Sequence, residues 1–307
     1  MQEIHSDKLR IEEKKSVALS SVFAAIFITA IKAVVGILTG SLGILSEALH
    51  SGLDLIAAVV TYFSVRVSDK PADKEHNYGH GKIENLSALV QTVLLLATCI
   101  WIIIEAIERL VTGKTTIEVN IWSYVVIILS IIIDFSRSRA LSRVAKKHNS
   151  QALAADALHF SSDIWSSSVV LIGLAFAQFN WFFVDSLAGL IVAGIVIAVS
   201  IRLGKRSIDV LLDKAPKQWI AEIKKTLETF DEVKQYHSLR IRSAGADTFI
   251  EFSVHMEPEL KLRNVHEICD RIENELKNTI PRCHVWIHAE PDEKSHILSE
   301  AEDTYRH

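Results

Sequence analysis

The sequence has 307 residues, 49% of them hydrophobic, and its formal net charge is −4. Its mean hydropathy is positive, which favours a membrane protein over an ordinary soluble domain, and the small charge argues against a nucleic-acid partner. The three cysteines form no CxxC pair, which excludes a thiolate zinc finger and a disulfide framework.

Long apolar runs lie between the charged segments 1–15 and 213–307. A helix needs about 20 apolar residues to cross a bilayer. Six runs meet this length with some tolerance, and they predict transmembrane helices at 16–38, 42–67, 84–111, 121–140, 152–178 and 184–204. The polar beginning of the chain lacks the pattern of a signal peptide, so the first helix is expected to remain in the mature protein.

Lysine and arginine concentrate at one end of the predicted helices. They cluster before the first helix, between the second and third, between the fourth and fifth, and after the sixth. The links at 39–41 and 179–183 contain neither residue, and the remaining link contains only Lys114, with Arg109 at its edge. Because basic loops stay in the cytoplasm, both termini are predicted to be cytoplasmic.

The periodicity changes after Leu212. Pro216 suits a helix start, alternating segments follow at 236–242 and 248–256, and the chain then predicts a helix at 262–276 and a strand at 283–289. An α-β-β-α-β order in roughly 80 residues predicts a small α+β domain with its helices on one face of a sheet. The predicted organisation is a cytoplasmic segment, a six-helix transmembrane domain, a cytoplasmic domain and a polar tail, at 1–15, 16–212, 213–292 and 293–307.

Two of the predicted helices repeat one polar pattern. Residues 47–54 and 156–163 both read acid-Ala-Leu-His-x-x-x-Asp. Residues four apart lie on one helix face, about 5–6 Å apart at Cβ, so each helix can direct an imidazole and a carboxylate to one point. Two nitrogens and two oxygens suit Zn²⁺, whereas Mg²⁺ and Ca²⁺ prefer oxygen ligands. The candidate ligands are His50, Asp54, His159 and Asp163.

An ionisable group inside a membrane costs about 2.5–3.5 kcal/mol on insertion scales and usually marks a site or a pathway. Contact with a neighbouring helix is the alternative for any one of these residues, but matched pairs favour a metal site. Glu47 and Asp156 precede the histidines by three residues and are candidates for orienting the ligands, or for a solvated role at a helix end. Snorkelling or pairing between helices is the interpretation for the charges that have no repeat partner: Lys32, Glu105, Asp134 and Asp185.

With this motif, the chain resembles the cation diffusion facilitator family of zinc transporters, from the first predicted helix to about Glu290. The resemblance also rests on the six helices, on the segment PADKEHNYGHGK at 71–82 and on the small C-terminal domain. It implies a homodimer that exchanges cytoplasmic Zn²⁺ for H⁺, with Zn²⁺ both transported and regulatory. Histidine at position 50 resembles the zinc-selective pattern within the family.

The resemblance implies two further metal sites. The first is in the loop after the second helix, at Asp73, His76 and His80, where a solvated loop is the alternative. The second is in the C-terminal domain, at His237, His266, His288 and Glu290.

One ligand of the C-terminal site departs from the family. Ser253 stands where the family has a bridging histidine, and His255, two residues further on the same strand face, is a candidate substitute. The number of metal ions bound there stays open, and the alternative is that these histidines only decorate the surface.

The resemblance also implies a charge contact that locks the dimer, between Lys82 and Asp213, although Lys82 also fits a basic residue that sets orientation. The expected partners are Zn²⁺, H⁺, a second copy of the chain and a lipid bilayer. The expected location is a bacterial inner membrane.

Three alternatives remain at this stage. An intramembrane enzyme is disfavoured because two equivalent pairs close the metal shell and no nucleophile lies beside them. A metal-binding scaffold or sensor with little flux is compatible with the motif. A carrier of iron, cobalt, manganese or cadmium is also compatible, although manganese would favour a shell richer in carboxylates.

Overall fold

The computed structural model describes residues 2–39, 42–112, 121–177 and 183–293, in two compact units that divide at Leu211 and Leu212. Of the polar tail predicted at 293–307, the structure describes only residue 293. The first unit consists of α1 (Gln2–Thr39), α2 (Leu42–Ser68), α3 (Ile83–Thr112), α4 (Ile121–His148), α5 (Gln151–Ala177) and α6 (Phe183–Leu211).

The helices of the first unit are long enough to span a bilayer. α4, α5 and α6 have 28, 27 and 29 residues, or about 40 Å each, against a hydrocarbon core about 30 Å thick. The large side chains of Phe23, Leu49 and Trp101 point out of the bundle, with 63%, 77% and 60% exposure, as residues that face lipid do. Within the described ranges, three stretches are both long and apolar enough to cross a membrane: Lys8–Leu38, Ala48–Ser68 and Ile83–Thr112.

Three helices extend well beyond the apolar runs that predicted them. The sequence places the start of the first helix at residue 16, whereas α1 begins at Gln2. α4 continues from residue 140 to His148, and α6 continues from residue 204 to Leu211. Helical hydrogen bonds are local to the backbone, so polar residues can continue a helix past the apolar run. Hydropathy therefore located the spans but not the full helices.

α1 buries one face of its length. Six of its buried positions are each at most 5% exposed: Lys14, Ala18, Ser21, Ala25, Ile28 and Lys32. They are spaced three or four residues apart, as on a helix with a single packed face. Three of these six side chains are polar, so α1 brings hydrogen-bonding groups into the bundle at three levels.

A buried ion cluster ties several helices together where α3 begins. Glu84 Oε1 accepts hydrogen bonds from Lys14 Nζ at 2.7 Å and Ser68 Oγ at 3.1 Å, and its Oε2 accepts one from Ser150 Oγ. Lys14 Nζ also donates to Asp69 Oδ1 at 2.8 Å. Because the Lys14 and Glu84 side chains are only 3% and 4% exposed, each charge depends on the other.

The second unit is a three-stranded sheet with two helices. β1 (Gln235–Ala244) is antiparallel to the central β2 (Asp247–Met256), and β3 (Cys283–Pro291) runs parallel to β2. With α7 (Lys217–Leu227) before the sheet and α8 (Leu262–Thr279) before β3, the order is α-β-β-α-β. The α+β fold predicted for this part of the chain is confirmed.

The core of the second unit lies between the helices and one face of the sheet. Ile223 of α7 and Ile272 of α8 are fully buried against Ile250 and Val254 of β2. The two β2 residues are four apart and therefore share a strand face. This packing leaves the ends of β2 and β3 to position polar side chains.

Glu84→Ala should destabilise the first unit by about 3–5 kcal/mol, because it leaves the buried Lys14 ammonium without its carboxylate partner. Thermal unfolding of the purified protein in detergent measures the effect. Glu108→Ala is the matched control, since Glu108 is an exposed acid on the same helix, and its effect should stay within about 0.5 kcal/mol. Equal melting shifts for the two variants would contradict the importance of the cluster.

Candidate metal sites

Two histidines and two aspartates from α2 and α5 meet inside the bundle. His159 Nε2 lies 2.9 Å from Asp54 Oδ1 and 3.7 Å from Asp163 Oδ2. His50 Nε2 lies 3.9 Å from Asp54 Oδ1 and 3.9 Å from Asp163 Oδ1. Each imidazole thus approaches one carboxylate from each helix. We call these four residues the α2–α5 site.

The α2–α5 site is largely enclosed. The side chains of His159, Asp54 and Asp163 are 7%, 12% and 13% exposed, and that of His50 is 32% exposed. Among the described residues, His159 Nδ1 and Asp163 Oδ2 are buried atoms that find no hydrogen-bond partner. Unsatisfied buried polar atoms are costly, so their presence fits a site that binds a cation.

Residues of α1 support the α2–α5 site from one side. Lys32 Nζ donates to Ser51 Oγ at 2.8 Å, and Thr29 Oγ1 donates to the Ser51 carbonyl at 3.0 Å. Ser51 follows the ligand His50 directly. Lys32 also interacts electrostatically with Asp54, so a positive charge lies close to the ligands. The sequence left snorkelling or pairing open for Lys32, and the structure shows a contact between helices.

Of the two acids that precede the histidines, the structure describes the side chain of Asp156. Asp156 is fully buried, and its Oδ2 accepts a hydrogen bond from Ser21 Oγ at 3.4 Å. It does not bind His159 Nδ1, which has no hydrogen-bond partner within the described ranges. The side chain of Glu47 lies outside the described part of the chain. The orienting roles of both acids stay predictions.

A second group of metal-binding side chains occupies the loop between α2 and α3. His76 Nδ1 lies 3.3 Å from Asp73 Oδ1, and His80 Nε2 lies 3.4 Å from Asp73 Oδ2. Gly79 has φ +75°, a left-handed conformation that glycine adopts without steric cost, and it brings His80 back beside His76. We call Asp73, His76 and His80 the loop cluster, whose ligand atoms all lie within 4.8 Å of one another.

The backbone of the loop holds its carboxylate in place. Asp73 Oδ1 accepts hydrogen bonds from the backbone N–H of His76 at 2.7 Å and of Glu75 at 2.9 Å. These bonds, the His76 one above all, hold the pKa of Asp73 below its usual 3.8, although burial acts in the opposite direction. The carboxylate is therefore ionised and oriented before any metal binds.

A third group lies at the ends of the strands in the second unit. His237 Nε2 is 3.7 Å from Glu290 Oε1, and the His237 and His255 rings are 5.1 Å apart. In the parallel pairing of β2 and β3, His255 lies opposite Glu290. The β1–β2 register shifts between His237 and Arg240, an irregularity that can redirect a side chain. We call His237, His255 and Glu290 the sheet cluster, with ligand atoms within 4.8 Å of one another.

The remaining residues predicted for the C-terminal site are more peripheral. His288 Nε2 lies 3.4 Å from Glu290 Oε1, but its side chain is 75% exposed. His266 is equally exposed, and its Nε2 lies 3.5 Å from Asp270 of its own helix. Ser253 pairs with His237 on one side and His288 on the other. His255, which is fully buried, therefore lies opposite Glu290, whereas Ser253, where the resemblance expects a histidine, lies opposite His288.

The two residues predicted to lock a dimer have other contacts within one chain. Lys82 Nζ donates to the Leu211 carbonyl at 3.4 Å. Asp213 Oδ2 lies 3.9 Å from Arg242 Nη1, and Asp213 has a left-handed φ of 57°. The contact between Lys82 and Asp213 stays a prediction.

A helical bundle with histidines and aspartates gathered inside it defines a membrane protein that handles metal cations. Comparison with known proteins supports this class. The model of the cation efflux transmembrane domain matches residues 18–212, and that of the cytoplasmic domain of cation efflux proteins matches residues 215–292.

Individual relatives extend over nearly the whole chain. The cation-efflux pump FieF of Yersinia enterocolitica is 31% identical over 282 residues, which cover 90% of this chain and 92% of the relative. An uncharacterised transporter of Methanocaldococcus jannaschii is 31% identical over 280 residues, with 90% and 99% coverage. A solved structure of the transporter CzrB matches 25% of this chain and 98% of its own, at 26% identity and a TM-score of 0.25.

The chain therefore belongs to the cation diffusion facilitator family, and it is a cation efflux transporter of that type. The fold class expected from the sequence, a helical transmembrane domain followed by a small cytoplasmic α+β domain, is confirmed. The family is one of transporters, in agreement with the expectation that the chain is not an enzyme.

The low pKa of Asp73 predicts how the loop responds to acid. A carboxyl group whose folded pKa is depressed stabilises the fold above its unfolded pKa, and that contribution disappears as the pH falls through the folded value. The Glu75 amide signal, followed by NMR in metal-free protein from about pH 7 to pH 2, should show a carboxylate midpoint below the usual value of about 3.9. A midpoint at or above that value would contradict the hydrogen-bonded loop.

Proposed function

We propose that the protein exports Zn²⁺ from the cytoplasm in exchange for H⁺, with the α2–α5 site as the transport site. The observation that carries this proposal is the convergence of His50, Asp54, His159 and Asp163 from two helices, with His159 Nε2 only 2.9 Å from Asp54 Oδ1. The chemistry that this ligand set supports is reversible coordination of a cation.

The ligand set favours zinc over other cations. Two imidazoles and two carboxylates fill a tetrahedral shell, the usual geometry of a fully liganded Zn²⁺. Hard cations such as Mg²⁺, Ca²⁺ and Mn²⁺ prefer shells of oxygen. Iron and cobalt accept imidazole ligands, so they are the competing cargoes against which zinc selectivity is to be measured.

Competition between metal and protons supplies the coupling. Zn²⁺ binds neutral imidazole and ionised carboxylate, so binding releases protons and acidification expels the metal. Histidine in general titrates near pH 6.5, within the range of physiological gradients. Rocking of helices would expose the α2–α5 site alternately to the two sides of the membrane, as in other carriers. Protons that arrive from an acidic outer side would then displace Zn²⁺ there.

The clusters outside the bundle suit regulation rather than transport. Two of the three ligands of the loop cluster, Asp73 and His76, are 51% and 55% exposed, which fits exchange with free ions. We assign to the sheet cluster the sensing of cytoplasmic Zn²⁺, with stabilisation of a homodimer as its effect. Lys82 and Asp213 are the proposed charge contact in that dimer.

The proposed location is the inner membrane of a bacterium, with both termini in the cytoplasm. The basic residues of the links support this orientation. Bacterial cation-efflux pumps are among the relatives.

Zinc–proton exchange is tested in proteoliposomes with a fluorescent zinc reporter inside. Vesicles with an interior at about pH 6 and an exterior at about pH 7.5 should take up Zn²⁺ faster than vesicles without a gradient, since protons compete with the metal on the inner side. A protonophore should abolish the difference. Asp54→Asn is the control for leakage, because it removes a ligand carboxylate and should lower the uptake at least about 100-fold.

Two outcomes would contradict the proposal. If the rate of Zn²⁺ uptake does not depend on the pH gradient, the protein is not a zinc–proton antiporter. If no uptake occurs under any condition, a metal-binding scaffold or sensor is favoured.

His50→Asp should relax the selectivity of the α2–α5 site toward Cd²⁺. A carboxylate can bind through one or two oxygens, so the shell can widen around a larger ion, whereas an imidazole offers one nitrogen. We expect the ratio of Zn²⁺ to Cd²⁺ flux to fall roughly tenfold, or about 1.4 kcal/mol. His76→Asp, the same change in the loop cluster, is the matched control and should leave the ratio in place. If the ratio of Zn²⁺ to Cd²⁺ flux is unchanged in His50→Asp, residue 50 does not determine the metal selectivity.

A further inference from the structure

α4 contributes a buried ion pair that is not part of the α2–α5 site. Arg137 Nη1 donates to Asp134 Oδ1 at 3.2 Å, and the two residues are 6% and 9% exposed. The sequence left Asp134 to snorkelling or pairing, and Arg137 falls within the predicted helix at 121–140. The structure places both inside the bundle, where a charge is costly and calls for a function.

The guanidinium of Arg137 is held from three sides. Its Nε and Nη2 donate to Ser21 Oγ of α1 at 3.3 Å and 3.1 Å. Its central carbon lies 3.4 Å from the centre of the Phe160 ring of α5. Ser21 Oγ in turn lies 3.4 Å from Asp156 Oδ2. With Asp134 on its own helix, Arg137 is therefore immobilised between α1, α4 and α5.

The pair lies within electrostatic reach of the α2–α5 site. Asp134 and Arg137 each interact with both ligand carboxylates, Asp54 and Asp163. Phe160, on which the guanidinium stacks, follows the ligand His159, and the two rings are 5.5 Å apart. A change in the charge of the pair would therefore be felt by a cation held between α2 and α5.

Arg137 lies among carboxylates near the α2–α5 site. Among the side chains that the structure describes, it interacts with those of Asp134, Asp156, Asp54 and Asp163. Lys32 is a second cation that interacts with Asp54 and Asp134. The Asp134 carboxylate, which accepts a hydrogen bond from Arg137, therefore offsets a positive charge that would repel a bound cation.

We propose that the Asp134–Arg137 pair sets the affinity of the α2–α5 site for its cation, with Asp134 neutralising Arg137 so that the guanidinium does not repel the metal. The two residues act on the metal through their charges and do not coordinate it. Arginine keeps its proton at every physiological pH, so the compensating charge must come from a carboxylate. The proposal rests on cation transport through the α2–α5 site.

Paired substitutions that remove or keep single charges test the proposal. In Asp134→Asn the unbalanced guanidinium should raise the KM for Zn²⁺ flux in proteoliposomes roughly tenfold or more, because an uncompensated positive charge repels the cation across a medium of low effective dielectric constant. Adding Arg137→Gln to Asp134→Asn removes that charge and should return the KM to within about threefold of the wild type. Adding Arg137→Lys instead keeps the charge and should leave the KM raised.

This pattern separates charge from packing. If the Asp134→Asn, Arg137→Gln variant keeps the raised KM, or if the Arg137→Lys combination lowers it equally, the proposal is overturned. Thermal unfolding in detergent identifies any variant that has lost its fold, and a KM that follows the melting temperature rather than the charge also overturns it. Wild-type flux in the same vesicles tests the transport function by itself, so a failure of the charge pattern leaves that function in place.

Discussion

The contact between His159 Nε2 and Asp54 Oδ1, 2.9 Å long, is the interaction on which the arrangement of the bundle depends. It joins α2 to α5 across 105 residues of sequence and pairs a base with an acid inside a region that lipid surrounds. Polar groups in such a region must find partners within the protein. α2 and α5 therefore turn these polar residues toward each other, and the same arrangement provides candidate ligands for a cation.

The other buried charges follow the same constraint at other levels of the bundle. Lys14 near the start of α1 is neutralised by Glu84 and Asp69, and Lys32 further along the helix reaches Ser51 beside the ligands. Between them, Ser21 connects Arg137 to Asp156. α1 thus supplies no ligand to the α2–α5 site, yet its buried stripe holds the polar side chains that surround that site.

The pairing of the strands decides which side chain of β2 lies beside Glu290 in the second unit. Ser253 and His255 lie on the same face of β2, two residues apart. His255 is opposite Glu290 on β3, and the irregular pairing of β1 near His237 accompanies the approach of the two imidazoles. The sheet therefore brings His255, rather than Ser253, beside the Glu290 carboxylate.

The sequence by itself determined the long apolar helices, the α-β-β-α-β order and the pairing of histidine with aspartate four residues apart, because hydropathy and side-chain period are local properties of the chain. It could not determine which helices face each other. Three of the buried contacts join residues that are far apart in sequence. Lys32 and Ser51 are 19 positions apart, Lys14 and Glu84 are 70 apart, and Arg137 and Ser21 are 116 apart. Only the tertiary structure decided these contacts, since a charge in an apolar run is stable only where a partner from a distant segment compensates it.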